Sequence, residues 1–176
     1  MADSDKDRIS VMASITSDFQ KLPLFIIGKG TNREEVGEEL GEMIQNNEFT
    51  FSVKSYMNTD CFCEYLEFLR KQYQENQTIH LIIDSYSSHT SKISKEKAEN
   101  LNIQLYFIPA HFTDLLQPLD IAIFAPLKSK ANRMLRRILL EDQVSPIGMR
   151  RSIYFLQKAW EELPRLTLEN AWDLYL

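Results

Sequence analysis

The chain has 176 residues, 44% of them hydrophobic, 11% aromatic and 26% charged. That composition suits one sizeable core spanning residues 1–176 as a single domain, and excludes a disordered or fibrous chain. No apolar stretch reaches bilayer length and the opening MADSDKDR lacks the apolar core of a secretory signal, so an intracellular protein without a membrane segment is expected.

The formal charge of −5 argues against a uniformly basic nucleic-acid binder. The average hides an asymmetry. Over residues 121–160, Lys128, Lys130, Arg133, Arg136, Arg137, Arg150, Arg151 and Lys158 stand against Glu141 and Asp142 alone, a local balance of +6 that leaves −11 for the rest. One end of the molecule could face phosphate.

In chain order, residues 8–16 and 22–27 read as strands whose short polar connection predicts an antiparallel pair. Gly28-Lys29-Gly30 is expected to end the second strand, and it lacks the phosphate-loop pattern. Over residues 32–45, Val36, Leu40, Met43 and Ile44 recur at helical spacing among Glu34, Glu35, Glu38, Glu39 and Glu42. This predicts an acidic surface helix, either decoration or a partner surface. A short strand over 49–54 and a helix over 59–74 follow, the helix with the apolar stripe Phe62, Tyr65, Leu66 and Leu69. Cys61 and Cys63 fall on that helix, and with no further Cys or His at zinc spacing they read as reduced thiols.

The run Leu81-Ile82-Ile83 predicts a buried strand over 79–83 that stops at Asp84, before small polar residues unsuited to prolonging it. A helix over 91–100 and an apolar strand over 103–108 complete a strand-helix-strand unit, the pattern of a parallel crossover. A proline-punctuated loop then leads to Asp120, ahead of a helix established by Leu127. Asp114 within that loop reads as a helix cap. Along the helix, Leu127, Ala131, Met134, Leu135, Ile138 and Leu139 form an expected core stripe, with Lys128, Lys130, Arg133 and Arg137 left outside it. Pro146 and Gly148 break the chain, and Pro164 separates helices expected over 149–163 and 167–175.

Asp84 and Asp120 are thus held on rigid elements with 35 residues between them. Paired carboxylates suit magnesium or manganese, because hard cations take oxygen ligands and keep positions open for phosphate. The strings IIDSYSSH, NIQLYFIPAHFTDLLQPLDIAIFAPLK and AWEELPRLTLENAW resemble the pogo, Tigger and jerky group of DDE transposases, which includes centromere protein B. LLQPLD is the most specific part, and the resemblance runs from KDRISVMASI to the C-terminus.

The resemblance implies an RNase H-like α/β fold, a mixed sheet flanked by helices, in which three acids bind two divalent metals, Mg2+ or Mn2+. Asp84 matches the second acid and Asp120 the third, the catalytic and metal-ligating pair. No residue matches the first, which belongs on a strand ahead of KDRISVMASI. Asp3, Asp5 and Asp7 read as a frayed terminus rather than as its replacement. The first, central strand is therefore expected to be missing, leaving a void in the sheet beside Asp84. Ser85 also stands where the family usually has Asn.

DNA is the partner the resemblance implies, with Lys128, Lys130, Arg133 and Arg137 as its contacts. The basic helix reads equally as a solvated amphipathic face. His89 matches the family's histidine and reads either as a contact near phosphate or metal, or as a loop histidine making a local hydrogen bond. His80 and His111 read as structural. A nuclear location is implied, a homo-oligomer is compatible, and no small-molecule substrate is expected. Two functions follow. One is a transposase-derived DDE endonuclease domain, inactive alone for want of the first acid; the other is a domesticated module that binds DNA or protein without chemistry.

Overall fold

The computed structural model describes residues 9–29, 48–142, 149–173 and 175. The acidic helix expected over 32–45, the aspartates at 3, 5 and 7, and the break at Pro146 and Gly148 lie outside them. Strands β1 (Ser10–Met12) and β2 (Phe25–Lys29) pair antiparallel, with Val11 opposite Ile26. Their connection is tied by Thr16, whose hydroxyl accepts from the Gln20 N–H at 3.0 Å, while Phe19 takes a left-handed φ of 64°. β2 runs through Gly28 and Lys29, past its expected end, and β3 (Glu48–Ser52) joins it in parallel with Gly28 opposite Phe51. A Cβ on Gly28 would lie 2.7 Å from the Phe51 ring, so the bare glycine lets that ring cross the strand.

Helix α1 (Thr59–Lys71) begins where Asn58 accepts the Cys61 N–H at 2.8 Å, with Asp60 in its first turn and Arg70 and Lys71 in its last, each opposing the helix dipole. Its buried face of Phe62, Tyr65, Leu66, Phe68 and Leu69 packs on Phe25 and Ile27 of β2 and on Ile79 and Ile83 of β4 (Ile79–Asp84). Both cysteines are free thiols on α1. A one-turn helix α2 (Ser87–Thr90) and helix α3 (Lys92–Asn100) lead to β5 (Ile103–Ile108), parallel to β4 from Ile79 opposite Ile103 to Asp84 opposite Ile108. This is the expected crossover, with α2 an unforeseen addition.

After β5 comes the one-turn helix α4 (Thr113–Leu116), whose N-cap is Phe112, so the cap expected at Asp114 is displaced by two positions. Gln117 is extended, as the residue before a proline tends to be, and a π-helical turn (Leu119–Ile123) opens helix α5 (Phe124–Asp142). Leu127 and Ala131 of the expected stripe are buried. Leu139 is 36% exposed and its neighbour Leu140 84%, because the helix outruns the core it covers. Helices α6 (Met149–Glu161) and α7 (Arg165–Trp172) flank Pro164 as expected. Their buried Ile153, Trp160 and Leu168, with Leu163 between the helices, share a core cluster with Ile26 of β2 and with Leu24 just before it.

β2 is therefore covered on both faces in a mixed α/β arrangement. The strands form two small sheets, β1-β2-β3 and β4-β5, and no ladder joins β1 to β4 among the described residues. β1 and β4 both line one cavity, and β4 lines a second together with the segment that follows β1. One of about 300 Å³ touches residues 10–15 and 80–84, and one of about 820 Å³ touches residues 14–18 and 77–82. The start of β1 thus lies toward the end of β4, and the strands run in opposite directions along an open seam. No helix among the described residues is long and apolar enough to cross a membrane.

Candidate metal and nucleic-acid site

Asp84 ends β4 because the apolar run ends there and its neighbours turn the chain. Ser85 donates its hydroxyl to the Ile108 carbonyl at 2.9 Å, extending the contact with β5 by one bond. The Tyr86 N–H then turns back to Asp84 Oδ1 at 3.4 Å. His89 Nδ1 lies 2.6 Å from the same oxygen. That hydrogen bond is the main cause holding the Asp84 carboxyl below its ordinary range, against an opposing push from partial burial. The carboxylate is half-buried and lines the smaller cavity at one end of the seam.

Asp120 arrives from the other side. Pro118 fixes the entry to the π-helical turn, and the Asp120 N–H donates to the Gln117 carbonyl at 3.1 Å. Asp120 is exposed and lines the same cavity of about 300 Å³ as Asp84. A π-helical turn at such a point is a common companion of functional sites. The two residues, with 35 others between them in sequence, thus line one cavity. Among the described residues no three His, Cys, Asp or Glu side chains converge as a ready metal cluster.

Three buried polar atoms with no hydrogen-bond partner among the described residues belong to residues lining this cavity: His89 Nε2, Gln117 Oε1 and Trp172 Nε1. Buried polar groups are nearly always satisfied, so three orphans around one space mark it as a place for polar company. Gln117 and Trp172 carried no signal in the sequence beyond their motifs. The larger cavity, at the far end of the seam, is lined by one carboxylate, Asp18, and holds none of the paired acids.

His89 is only 6% exposed, with one nitrogen on Asp84 and the other buried. Neither nitrogen faces solvent, and the local hydrogen bond that His89 makes is to Asp84. His80 bonds the Tyr106 hydroxyl at 3.0 Å through Nδ1, and His111 is exposed with a left-handed φ of 69°.

On α5, Lys130, Arg133 and Arg137 share a face by their spacing, and both arginines are exposed. Lys130 is half-buried and ion-paired, its Nζ 2.9 Å from Glu162 Oε2 and 3.1 Å from the Glu162 carbonyl. Lys128 is exposed with its Nζ 5.8 Å from the Phe124 ring centroid. The four cations therefore differ in how much charge they offer to solvent.

Residues 6–172 match the sequence profile of the DDE superfamily endonuclease family. The chain is 28% identical over 149 residues to the Mus musculus pogo transposable element with KRAB domain, and 26% identical over 149 residues to its Homo sapiens counterpart. Each match covers 82% of this chain and 24% of the relative, so the chain spans about a quarter of the length of the curated relatives it matches. A protein of Cochliobolus lunatus named MFS-type transporter clz9 is 41% identical over 59 residues, 34% of this chain and 6% of that protein. No solved structure gives a significant match.

Proposed function

The chain belongs to the DDE superfamily endonuclease family, and from that premise we propose that it is a transposase-derived, nucleic-acid-binding domain whose Asp84 and Asp120 hold a divalent cation, Mg2+ or Mn2+, beside a DNA phosphodiester. The observation that carries this reading is the cavity lined by both carboxylates, one of them hydrogen-bonded by a buried histidine. The donor set fits, since carboxylate oxygens are what hard cations take. Such a cation supplies Lewis acidity and an activated oxygen nucleophile when bound.

The chain's own residues do the rest. Asp84 and Asp120 supply the carboxylate oxygens that line the cavity. Arg133 and Arg137, exposed on the helix that follows Asp120, attract phosphate without reading bases, and Lys128 adds to them. Lys130 contributes less, its charge being answered by Glu162. Nuclear residence accords with this role, and a single domain with room for a homo-oligomer is its simplest organisation.

The finer fold we read is RNase H-like, with the seam between β1 and β4 as the seat of a central strand. The unpaired edges and the three orphaned polar atoms support that seat. A strand antiparallel to β1 and parallel to β4 would end beside Asp84, where a third carboxylate could join the pair. With two carboxylates alone, residues 1–176 should bind metal weakly and cut DNA poorly. The same two-ligand count supports a second reading, a module that keeps the basic face and performs no chemistry.

Calorimetric titration with Mn2+ tests the metal site. Binding by the wild type, lost in both Asp84→Asn and Asp120→Asn, is the expected result. Equal binding by all three proteins would remove the metal and leave the non-catalytic reading. Magnesium-dependent nicking by residues 1–176 that is lost in Asp84→Asn would overturn the expectation of poor cutting.

A further inference from the structure

We propose that His89 is the positioning residue of this site, a buried imidazole that holds one oxygen of Asp84 so that the other is presented to the cavity. The inference rests on the metal-binding reading above and adds to it a residue that touches neither metal nor DNA. Its grounds are geometric. Both hydrogen bonds to the Asp84 carboxylate, from His89 Nδ1 at 2.6 Å and from the Tyr86 N–H at 3.4 Å, fall on Oδ1. Among the described residues no hydrogen bond reaches Oδ2. One oxygen is anchored and one is left for a ligand.

The anchor is itself fixed. His89 sits on α2, where its N–H donates to the Tyr86 carbonyl at 2.9 Å. Its ring centroid lies 4.4 Å from that of Phe62 on α1 and 5.7 Å from that of Tyr86, edge against face. The neighbouring turn is closed from α3 by Ser94, whose hydroxyl donates to the Ser88 carbonyl at 2.5 Å. The ring therefore cannot swing without disturbing α1 and α3. A strand-terminal aspartate otherwise rotates freely about its side-chain bonds, and that freedom would be lost on each metal-binding event. Outer partners that orient a ligand in this way typically govern metal affinity by about 10–100-fold.

The geometry also fixes the tautomer. With Nδ1 donating to a carboxylate oxygen, Nε2 is left facing the buried side without a partner. An arrangement that leaves Nε2 unsatisfied while Nδ1 makes a short bond is one built around Asp84 rather than around the histidine's own solvation.

Two substitutions in the full 176-residue protein separate positioning from packing. His89→Phe keeps a ring against Phe62 and removes the donor. His89→Asn keeps a donor near the place of Nδ1 and removes the ring. Mn2+ affinity by calorimetry and melting temperature without metal are measured on both, beside wild type and Asp84→Asn. The expected result is a crossed pattern. His89→Phe loses about 10-fold or more in affinity with little change in melting temperature, whereas His89→Asn loses stability and keeps affinity within about threefold. Affinity that follows melting temperature, or that neither variant changes, overturns the positioning role. If Asp84→Asn abolishes binding while His89→Phe spares it, positioning alone falls. If Asp84→Asn binds as well as wild type, the metal reading falls and takes the positioning role with it.

Discussion

Lys21 Nζ lies 2.8 Å from the carbonyl oxygen of Trp160, a contact spanning 139 positions of sequence. The same ammonium reaches the carbonyls of Glu161 at 2.7 Å and Leu163 at 3.1 Å, so one side chain closes the C-terminal end of α6. The last carbonyls of a helix lack intrahelical donors and carry the negative end of its dipole, which a cation satisfies. Trp160 returns the contact, its Nε1 donating to the Leu22 carbonyl at 2.9 Å. Together they clamp the β1-β2 pair onto the C-terminal helices. Lys21→Met keeps most of the aliphatic stem and removes the three bonds. It should destabilise the protein by about 1.5–3 kcal/mol, the range for hydrogen bonds to charged groups, as read from urea denaturation. An unchanged midpoint would mean that water caps α6 equally well.

Gly28 predicts a clash with a known address. An added Cβ would stand 2.7 Å from Cε1 of Phe51, a separation that forces the ring to move. Gly28→Ala should cost about 1–3 kcal/mol through overpacking. The loss should shrink when Phe51→Leu is combined with it, since the obstacle is the ring edge. Equal losses in the single and double variants would place the strain in the backbone instead.

Much of the sheet edge was legible because its signals are local. Leu81-Ile82-Ile83 ends at Asp84 in the sequence, and β4 ends there in the fold. The α1 stripe of Phe62, Tyr65, Leu66 and Leu69 is likewise set by spacing along one helix. Asp84 and Asp120 were singled out through a motif, and both line one cavity. What escaped depends on partners distant in the chain. A four-residue helix such as α2 has no periodicity to read, and contacts from Phe62 and Ser94 hold it in place. The burial of His89 against Phe62, 27 positions upstream, was likewise not readable from local pattern. The stripe on α5 was overread at Leu139 for a similar reason, since periodicity shows which side of a helix is apolar and not how far the core beneath it extends.

Acid should expose the Asp84 hydrogen bond. Donation from His89 holds the folded-state carboxyl below its ordinary value of about 3.9. A depressed carboxyl stabilises the fold fully above its unfolded value and loses that contribution as pH falls through the folded one. The affected window therefore lies below about pH 4. Asp84→Asn should flatten the wild-type fall in denaturation midpoint across that window, beyond the change seen near neutrality. Parallel curves for the two proteins at every pH would show that the carboxylate gains nothing from His89 in solution.

Salt dependence separates the cations of α5. Arg133 and Arg137 are exposed, whereas Lys130 is held by Glu162 at 2.9 Å. If the helix follows a DNA backbone, each phosphate contact adds about 0.9 to the slope of log affinity against log salt. Arg133→Ala should lower that slope by nearly one contact, and Lys130→Ala by clearly less. Fluorescence anisotropy with two unrelated duplexes should give the same ranking, since phosphate contacts carry no sequence. Absence of binding at low salt, or slopes unmoved by the double arginine variant, would return α5 to a solvated face.

The seam between β1 and β4 makes its own prediction, independent of metal or DNA. Backbone groups on the outer edges of these strands lack ladder partners among the described residues and border the two cavities. Amides pointing into the seam should therefore exchange with solvent faster than those pointing from β4 into β5 or from β1 into β2, because only the inner set is held by a ladder. Attaching a strand-forming segment of six or so alternating apolar residues ahead of Met1 should slow the exposed set and raise the melting temperature, as an inserted strand pairs with both edges. The alternation matters, since a segment with the same composition in scrambled order offers no apolar face to the core and should do neither. Seam amides already as slow as the inner ones in the 176-residue protein would show that β1 and β4 meet in solution, and the RNase H-like seat for a central strand would then be wrong.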